Sequence, residues 1–274
     1  MNLWIVTVNF ENTKPTELLI NSLTGSVNLD STKVAIADNA SSSDSIFELK
    51  QILKKTSLDI TIFSNKTNLY YWPAVKKVIS NLKLKIGSYP DWVIVCNNDI
   101  DFSDKNFFSE LEKINPKKYP IIGPKIINSH GDHLNPFMVS PLSKFQKLIW
   151  DLYFLSFQLS SLMLLIKKKF SFFNKKTSSF NMAANHNVYA VHGSAIIFSK
   201  FFFEKGGWLD DNFEMYGEEL TVAEIAKKID VPVTFIPKLK IIHNEHSSTK
   251  MLDHKILFDK AKKTHKYFKS VYLK

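Results

Sequence analysis

Over the first hundred residues, short apolar runs rich in β-branched side chains alternate with helical stretches, and this rhythm constrains the fold more than any other feature of the chain. The runs are LWIVTVNF (3–10), KVAIADNA (33–40), DITIFSN (59–65) and WVIVCNND (92–99), with helices expected over Pro15–Leu23, Asp44–Lys55 and Pro73–Leu82. Strand starts recur roughly every 25–33 residues, the spacing of βαβ units in a parallel sheet covered by helices on both faces. Each run ends in polar residues: Asn9, Asp38–Asn39, Asn65 and Asn97–Asn98–Asp99. Ligands of open α/β sheets bind outside the carboxyl ends of the strands, so four such ends point to one binding edge.

Beyond residue 118 the pattern loosens. YPIIGPKII (119–127) and VYAVHGSAIIFS (188–199) read as strands, Glu218–Ile229 as an amphipathic helix, and VPVTFIP (231–237) and LKIIH (239–243) as two short strands. No repeat or low-complexity linker divides the chain, so a single catalytic domain is expected over 1–250, with residues 1–100 as its nucleotide-binding half. A basic helical tail follows over 251–274, and an apolar insertion over 136–187 interrupts the second half. The core of that insertion, Leu148–Ile166, is long enough to span a bilayer but is diluted by Asp151, Gln158 and serines. Lysines follow at 167–169, 175 and 176; a span would put the chain's two halves on opposite sides of a bilayer, so a helix lying in the membrane interface is expected, with a buried helix of the core as the alternative.

Composition excludes several classes. One cysteine rules out a disulfide framework and a cysteine zinc site and fits a reducing, cytoplasmic compartment; the N-terminal run reads as a strand, not a signal peptide. The formal charge of +10 calls for an anionic partner. All the basic residues are lysine, which argues against nucleic acid, where guanine is most often read by arginine. Lysines beside apolar helices suit an anionic membrane surface better. Neither GxGxxG nor GxxxxGK[ST] occurs, so the usual dinucleotide and P-loop sites are absent.

Three segments carry chemistry. CNNDIDF (96–102) sets Asp99 and Asp101 at a strand end, either as oxygen ligands for a hard divalent cation or as turn formers. GGWLDDNFEMYGEEL (206–220) opens a helix on Glu218 and Glu219; acids there meet the helix dipole, and adjacent carboxylates also suit a general base. IIHNEHSST (241–249) supplies His243 for metal or proton work, with His246 read as an ordinary loop residue.

Together with TVNF (7–10), DNASSSDS (38–45), Asn65/Asn68 and HGSAIIFSK (192–200), these segments stand in the order seen in family 2 glycosyltransferases, and the chain resembles that family's bacterial rhamnosyltransferase-like members over about residues 1–135 and 188–250. The resemblance implies a GT-A fold: α/β, a mostly parallel central sheet with helices on both faces, here with the helical apolar insertion. It implies an inverting enzyme moving a sugar from a nucleotide diphosphate sugar to a hydroxyl of a growing surface glycan or lipid-linked acceptor. Thr7, Val8, Asn9, Asp38 and Asn68 would hold the nucleotide, and Asn98 and Asp99 fall at the DxD-like position. Asp99 and His243 would hold Mg²⁺ or Mn²⁺, and Glu219 would be the base, with Glu218 its rival. The enzyme would be peripheral at the inner face of the cell membrane. Three positions depart from the family pattern. Asn97 replaces the first acid, NKTNLYYW (65–72) replaces a glycine-rich segment, and Glu219 stands where aspartate is usual. Trp72 and Trp208 are candidate stacking platforms for sugar or acceptor, with core packing the expected role of at least one.

Overall fold

A computed structural model describes residues 1–24, 31–171, 181–245 and 253–273. The four apolar runs form β1 (Leu3–Asn9), β2 (Thr32–Asp38), β3 (Asp59–Ser64) and β4 (Trp92–Cys96), joined by α1 (Lys14–Thr24), α2 (Ser43–Leu53) and α3 (Tyr71–Ile86). They are the parallel half of a nine-stranded sheet ordered β3-β2-β1-β4-β8-β6-β9-β5. The second half adds β5 (Ile100–Asp101), α4 (Phe107–Glu112), β6 (Ile121–Asn128) and β8 (Ala195–Ser199). It also holds β7 (His186–Val188) and β9 (Val233–His243), which pair with each other. β8 runs antiparallel to both β4 and β6, whereas β6 and β9 are parallel. Six strands (β1–β4, β6 and β9) therefore share one direction, and the sheet is mostly parallel, as expected.

Strands buried on both faces need no polar side, which is why β1 and β4 read as unbroken apolar runs. Alternate residues feed two cores. Trp4, Val6, Val93 and Val95 pack with Trp72, Val75 and Val78 of α3. Leu3, Ile5, Trp92 and Ile94 pack with Leu19 and Leu23 of α1 and with Phe107, Phe108 and Leu111. α8 (Glu218–Lys228) lies with α3 on the first face through Val222 and Ile225.

Three elements differ from the sequence reading. Residues 188–199 are not one strand: the chain leaves β7, turns through 189–194 and re-enters as β8, with Ala190 bridging to Met138. The stretches 231–237 and 239–243 are instead one strand, β9. Its pairing partner on β6 shifts register between Pro124 and Lys125, so a bulge takes up Pro237, which has no N–H to donate. The apolar stretch 148–166 is two helices, α5 (Lys144–Tyr153) and α6 (Phe157–Ser171), followed over 167–169 by the lysines, whose side chains lie outside the described residues. Ser156 breaks the run, its hydroxyl capping the Leu159 N–H at 3.2 Å. Lys175, Lys176 and His246 also lie outside the described residues. Among the described residues no helix is long and apolar enough to cross a membrane.

The basic tail forms α9 (His254–Tyr272), capped by Asp253. Two tyrosines on it, Tyr267 and Tyr272, donate hydrogen bonds at 2.7 and 2.6 Å to the buried Asp210. That anchor sets α9 against α8 and leaves its other side to receive α5 and α6.

Candidate active site

The carboxyl ends of β1, β2, β4 and β9, the start of β8 and the start of α8 meet at one edge of the sheet, around a cleft of about 1770 Å³. Val8, Asn68, Asn98, Asp99, Glu218, Glu219 and His243 are on its wall. Thr7, Asn9 and Asp38, expected to touch a nucleotide, are fully buried behind that wall. Asn98 Nδ2 donates to Thr16 Oγ1 (3.0 Å), Thr16 Oγ1 to Asn9 Oδ1 (2.8 Å), and Asn9 Nδ2 to Asp38 Oδ1 (3.3 Å). Asp38 Oδ2 in turn accepts from the Ser41 N–H at 3.2 Å. These residues therefore fix the strand-end loops from beneath. Asn39, one residue beyond Asp38, is the one on the wall, held by Asn65 and the Tyr70 carbonyl.

Asp99 meets His243 through tertiary pairing. The Ile100↔His243 register and the Asn244 N–H to Asp99 carbonyl bond (3.0 Å) bring the two chain segments together. Asp99 Oδ1 stands 3.0 Å from His243 Nε2. The approach is off the axis of a hydrogen bond, and Asp99 Oδ1 is a buried oxygen with no hydrogen-bond partner. His243 Nε2 also faces the Asn97 amide nitrogen at 3.4 Å. Two atoms bound at right angles to a cation, each about 2.1 Å from it, lie about 3.0 Å apart, so the pair fits adjacent corners of an octahedral site. Among the described residues no group of three or more His, Cys, Asp or Glu side chains could hold a metal alone. The remaining corners would fall to phosphate oxygens and water, as is usual for magnesium. Asp101, on β5, is off the cleft wall.

The two glutamates open α8 on its first turn. Glu219 Oε1 accepts the Gly193 N–H at 3.0 Å, and a Cβ at Gly193 would sit 2.8 Å from that oxygen, so a larger residue there would push the carboxylate aside. Glu218 Oε2 accepts the Gly217 N–H at 2.7 Å. The helix dipole and these N–H groups favour the charged carboxylates, yet burial outweighs them and raises both carboxyls, Glu218 further through repulsion from Glu219. A raised carboxyl in a cleft is suited to take a proton near neutrality.

Four wall residues carry no role in the sequence reading. Tyr71 donates to the Gly193 carbonyl at 3.2 Å, bracing the turn that holds Glu219. His192 Nδ1 accepts the Ser194 N–H at 3.2 Å, which leaves the proton on Nε2, and burial with His243 nearby pushes the imidazole down to about 4. Tyr70 and Tyr216 hold φ values of +61° and +66°, a region that bulky side chains seldom adopt. The HGS tripeptide and the tyrosines were visible in the sequence; their convergence was not. Neither tryptophan proposed as a platform is on the wall: Trp72 is fully buried in the core, and Trp208 packs against that core with Lys228 over its ring.

No protein-family model matches this chain, and no curated protein matches it. Solved structures do. A mannosyltransferase from Pyrobaculum calidifontis in complex with GDP-Man and Mn²⁺ aligns with 88% of this chain and 56% of its own, at 10% identity and a TM-score of 0.54. Residues 1–349 of S. aureus TarS in complex with UDP-GlcNAc align with 92% of this chain and 62% of their own, at 10% identity and a TM-score of 0.59. GalNAc-T7 with UDP, GalNAc and Mn²⁺ aligns with 90% of this chain and 44% of its own, at 12% identity and a TM-score of 0.57. The chain thus spans less than two thirds of the length of each of these structures. What they share with it is the architecture, and the fold of this chain is the GT-A fold.

Proposed function

We propose that this chain is an inverting glycosyltransferase that moves a sugar from a nucleotide diphosphate sugar to a hydroxyl of a glycan or lipid-linked acceptor. The observation that carries the reading is the meeting, in one cleft at the strand ends, of an Asp99–His243 pair spaced like metal ligands with a glutamate pair whose carboxyls are raised.

In this reading Glu219 accepts the acceptor proton as the hydroxyl attacks the anomeric carbon from the side opposite the diphosphate. The Gly193 N–H holds one carboxylate oxygen and fixes its direction, and Tyr71 holds Gly193 in turn. Asp99 and His243 would hold Mg²⁺ or Mn²⁺, which when bound neutralises charge on the leaving diphosphate. Val8, Asn39, Asn68 and Asn98 border the nucleotide, and the buried Thr7, Asn9 and Asp38 set the backbone beneath it. The +10 charge and the apolar α5–α6 hairpin favour a position against the anionic inner face of a membrane.

Calorimetry with UDP, GDP, CDP and dTDP, each with and without Mn²⁺, tests the donor site, and sugar release or transfer tests the chemistry. Metal-dependent binding of one nucleotide with turnover is expected. Binding without turnover would make the chain a nucleotide- or carbohydrate-binding relative on the same fold, a reading favoured by the donor set's having only two candidate metal ligands among the described residues. No nucleotide binding by folded protein would remove the transferase reading.

A further inference from the structure

The cleft has two unlike walls. The strand-end wall carries the cleft's Asn, Asp and Glu side chains with His192 and His243, set among apolar and aromatic neighbours such as Val8 and Tyr71; the wall contributed by α5, α6 and α9 presents Ile149, Trp150, Phe154, Met163, Leu164 and Ile256. Of the polar side chains on that second wall, Lys260, Thr264 and His265 are committed to internal bonds, and Tyr153 adds one hydroxyl. Lys260 is bonded to Glu214 and Tyr70, Thr264 to the Met215 carbonyl at 2.7 Å, and His265 to Asp151 at 2.9 Å. A sugar carries several hydroxyls that each need a partner when taken from water, and this wall has few to offer; a hydrocarbon chain needs none.

The same helices are apolar on the outside. α5 has no buried residue, and Phe145, Leu148 and Leu152 repeat at i, i+3 and i+7 on its exposed face, 70, 55 and 42% accessible, with Leu155 of the following turn also exposed. Leu164 belongs to both surfaces, on the cleft wall and half accessible, so the outer patch runs into the cleft without a polar break at that position. Lys144 and Lys147 lie on the same helix, while its one acid, Asp151, is matched by His265 and Lys269. An apolar stripe with uncompensated lysines is the chemistry of an anionic lipid surface.

We propose that the α5–α6–α9 wall holds the aliphatic chain of a lipid-linked acceptor, which enters the cleft from an anionic bilayer along the exposed face of α5 and α6. The proposal deepens the sugar-transfer reading and rests on it for the word acceptor. It places the acceptor's polar head toward Glu219 and its chain against Trp150 and Leu164.

Farnesyl phosphate serves as the probe, with inorganic phosphate as the head-group control and Mn²⁺ plus nucleotide diphosphate as an independent ligand of the opposite wall. Binding is measured by calorimetry on the full chain and on Leu164→Glu, a substitution at a half-accessible position that the fold tolerates. Farnesyl phosphate is expected to bind the wild type, phosphate not to compete, and Leu164→Glu to weaken the probe by about tenfold or more with nucleotide affinity unchanged. Vesicles of phosphatidylcholine and phosphatidylglycerol with brominated chains should quench tryptophan fluorescence in a Trp208→Phe background, and Trp150→Phe added to it should remove that quenching, because the remaining Trp4, Trp72 and Trp92 are buried in the core. Equal farnesyl phosphate affinity in wild type and Leu164→Glu, competition by phosphate alone, or quenching that survives Trp150→Phe would each overturn the proposal. Probe binding as expected without any nucleotide binding would support the lipid site and remove the transferase reading instead.

Discussion

The floor of the cleft and its roof are held by different forces. The floor residues are placed by backbone: sheet register aligns Asn9 with Asp38, the β5–β9 pairing brings Asp99 to His243, and one N–H from Gly193 fixes Glu219. The roof is held by side chains. Asp151 bridges His265 and Lys269, Phe258 packs against Tyr153, Phe154 and Phe157, and Phe154 stacks on His265. Backbone ladders fix positions to fractions of an ångström and do not titrate, whereas exposed ion pairs are worth roughly 0–1 kcal/mol and weaken with salt. The floor is therefore suited to chemistry, and the roof to a task that tolerates adjustment.

The sharpest test of this division is on the floor. Glu219→Gln keeps the Gly193 hydrogen bond through its amide oxygen and loses the base, so sugar transfer should fall by about 10²–10⁴-fold with nucleotide affinity kept. Undiminished turnover would move the base to Glu218. Asp99→Ala comes next: nucleotide binding should lose its dependence on Mn²⁺, and titrations with and without metal should superimpose. A metal effect that persisted would place the cation elsewhere.

A smaller effect is expected on the roof. Asp151→Asn severs the ion pair to Lys269 and keeps an acceptor for His265, so the thermal midpoint should drop by no more than a loss of roughly 1 kcal/mol allows. The acceptor KM should rise while the nucleotide affinity stays put. A loss of nucleotide affinity in this variant would show that floor and roof are not independent.

The last effect carries a sign. Glu218 has a raised carboxyl in the folded protein, so above the ordinary carboxylate value of 4.5 it costs stability, the unfolded chain ionising more readily than the folded one. Glu218→Gln should therefore stabilise the protein at neutral pH, with the gain shrinking as pH falls and vanishing below about 4.5. Melting curves across that range check it; a gain independent of pH would mean that the carboxyl is not raised.

The chain's own periodicity sufficed for β1 to β4, for α1 to α3, for α8 and for the binding edge, because strands buried on both faces must be apolar and stop at polar ends. Asp99, His243, Glu218 and Glu219 were legible one by one as residue types at strand and helix ends. The errors lay where neighbours decide. Residues 188–199 had strand composition throughout, yet the chain turns at 189–194 to aim Gly193 at Glu219. Pro237 looked like a strand break, yet a bulge against β6 absorbed it. Trp72 looked like a sugar platform, yet it fills the core beneath α3.

Sequence alone determined that β1, β2 and β4 had to be buried, since that follows from their unbroken apolar runs, and it set the parallel βα order, since short-range connections permit little else. Only the tertiary structure decided which strand ends became neighbours, how Asp99 came to face His243, and that an apolar stretch resembling a membrane helix breaks at Ser156 and folds over the cleft with α9. Those outcomes depend on contacts between residues far apart in the chain, where no local pattern reports the partner.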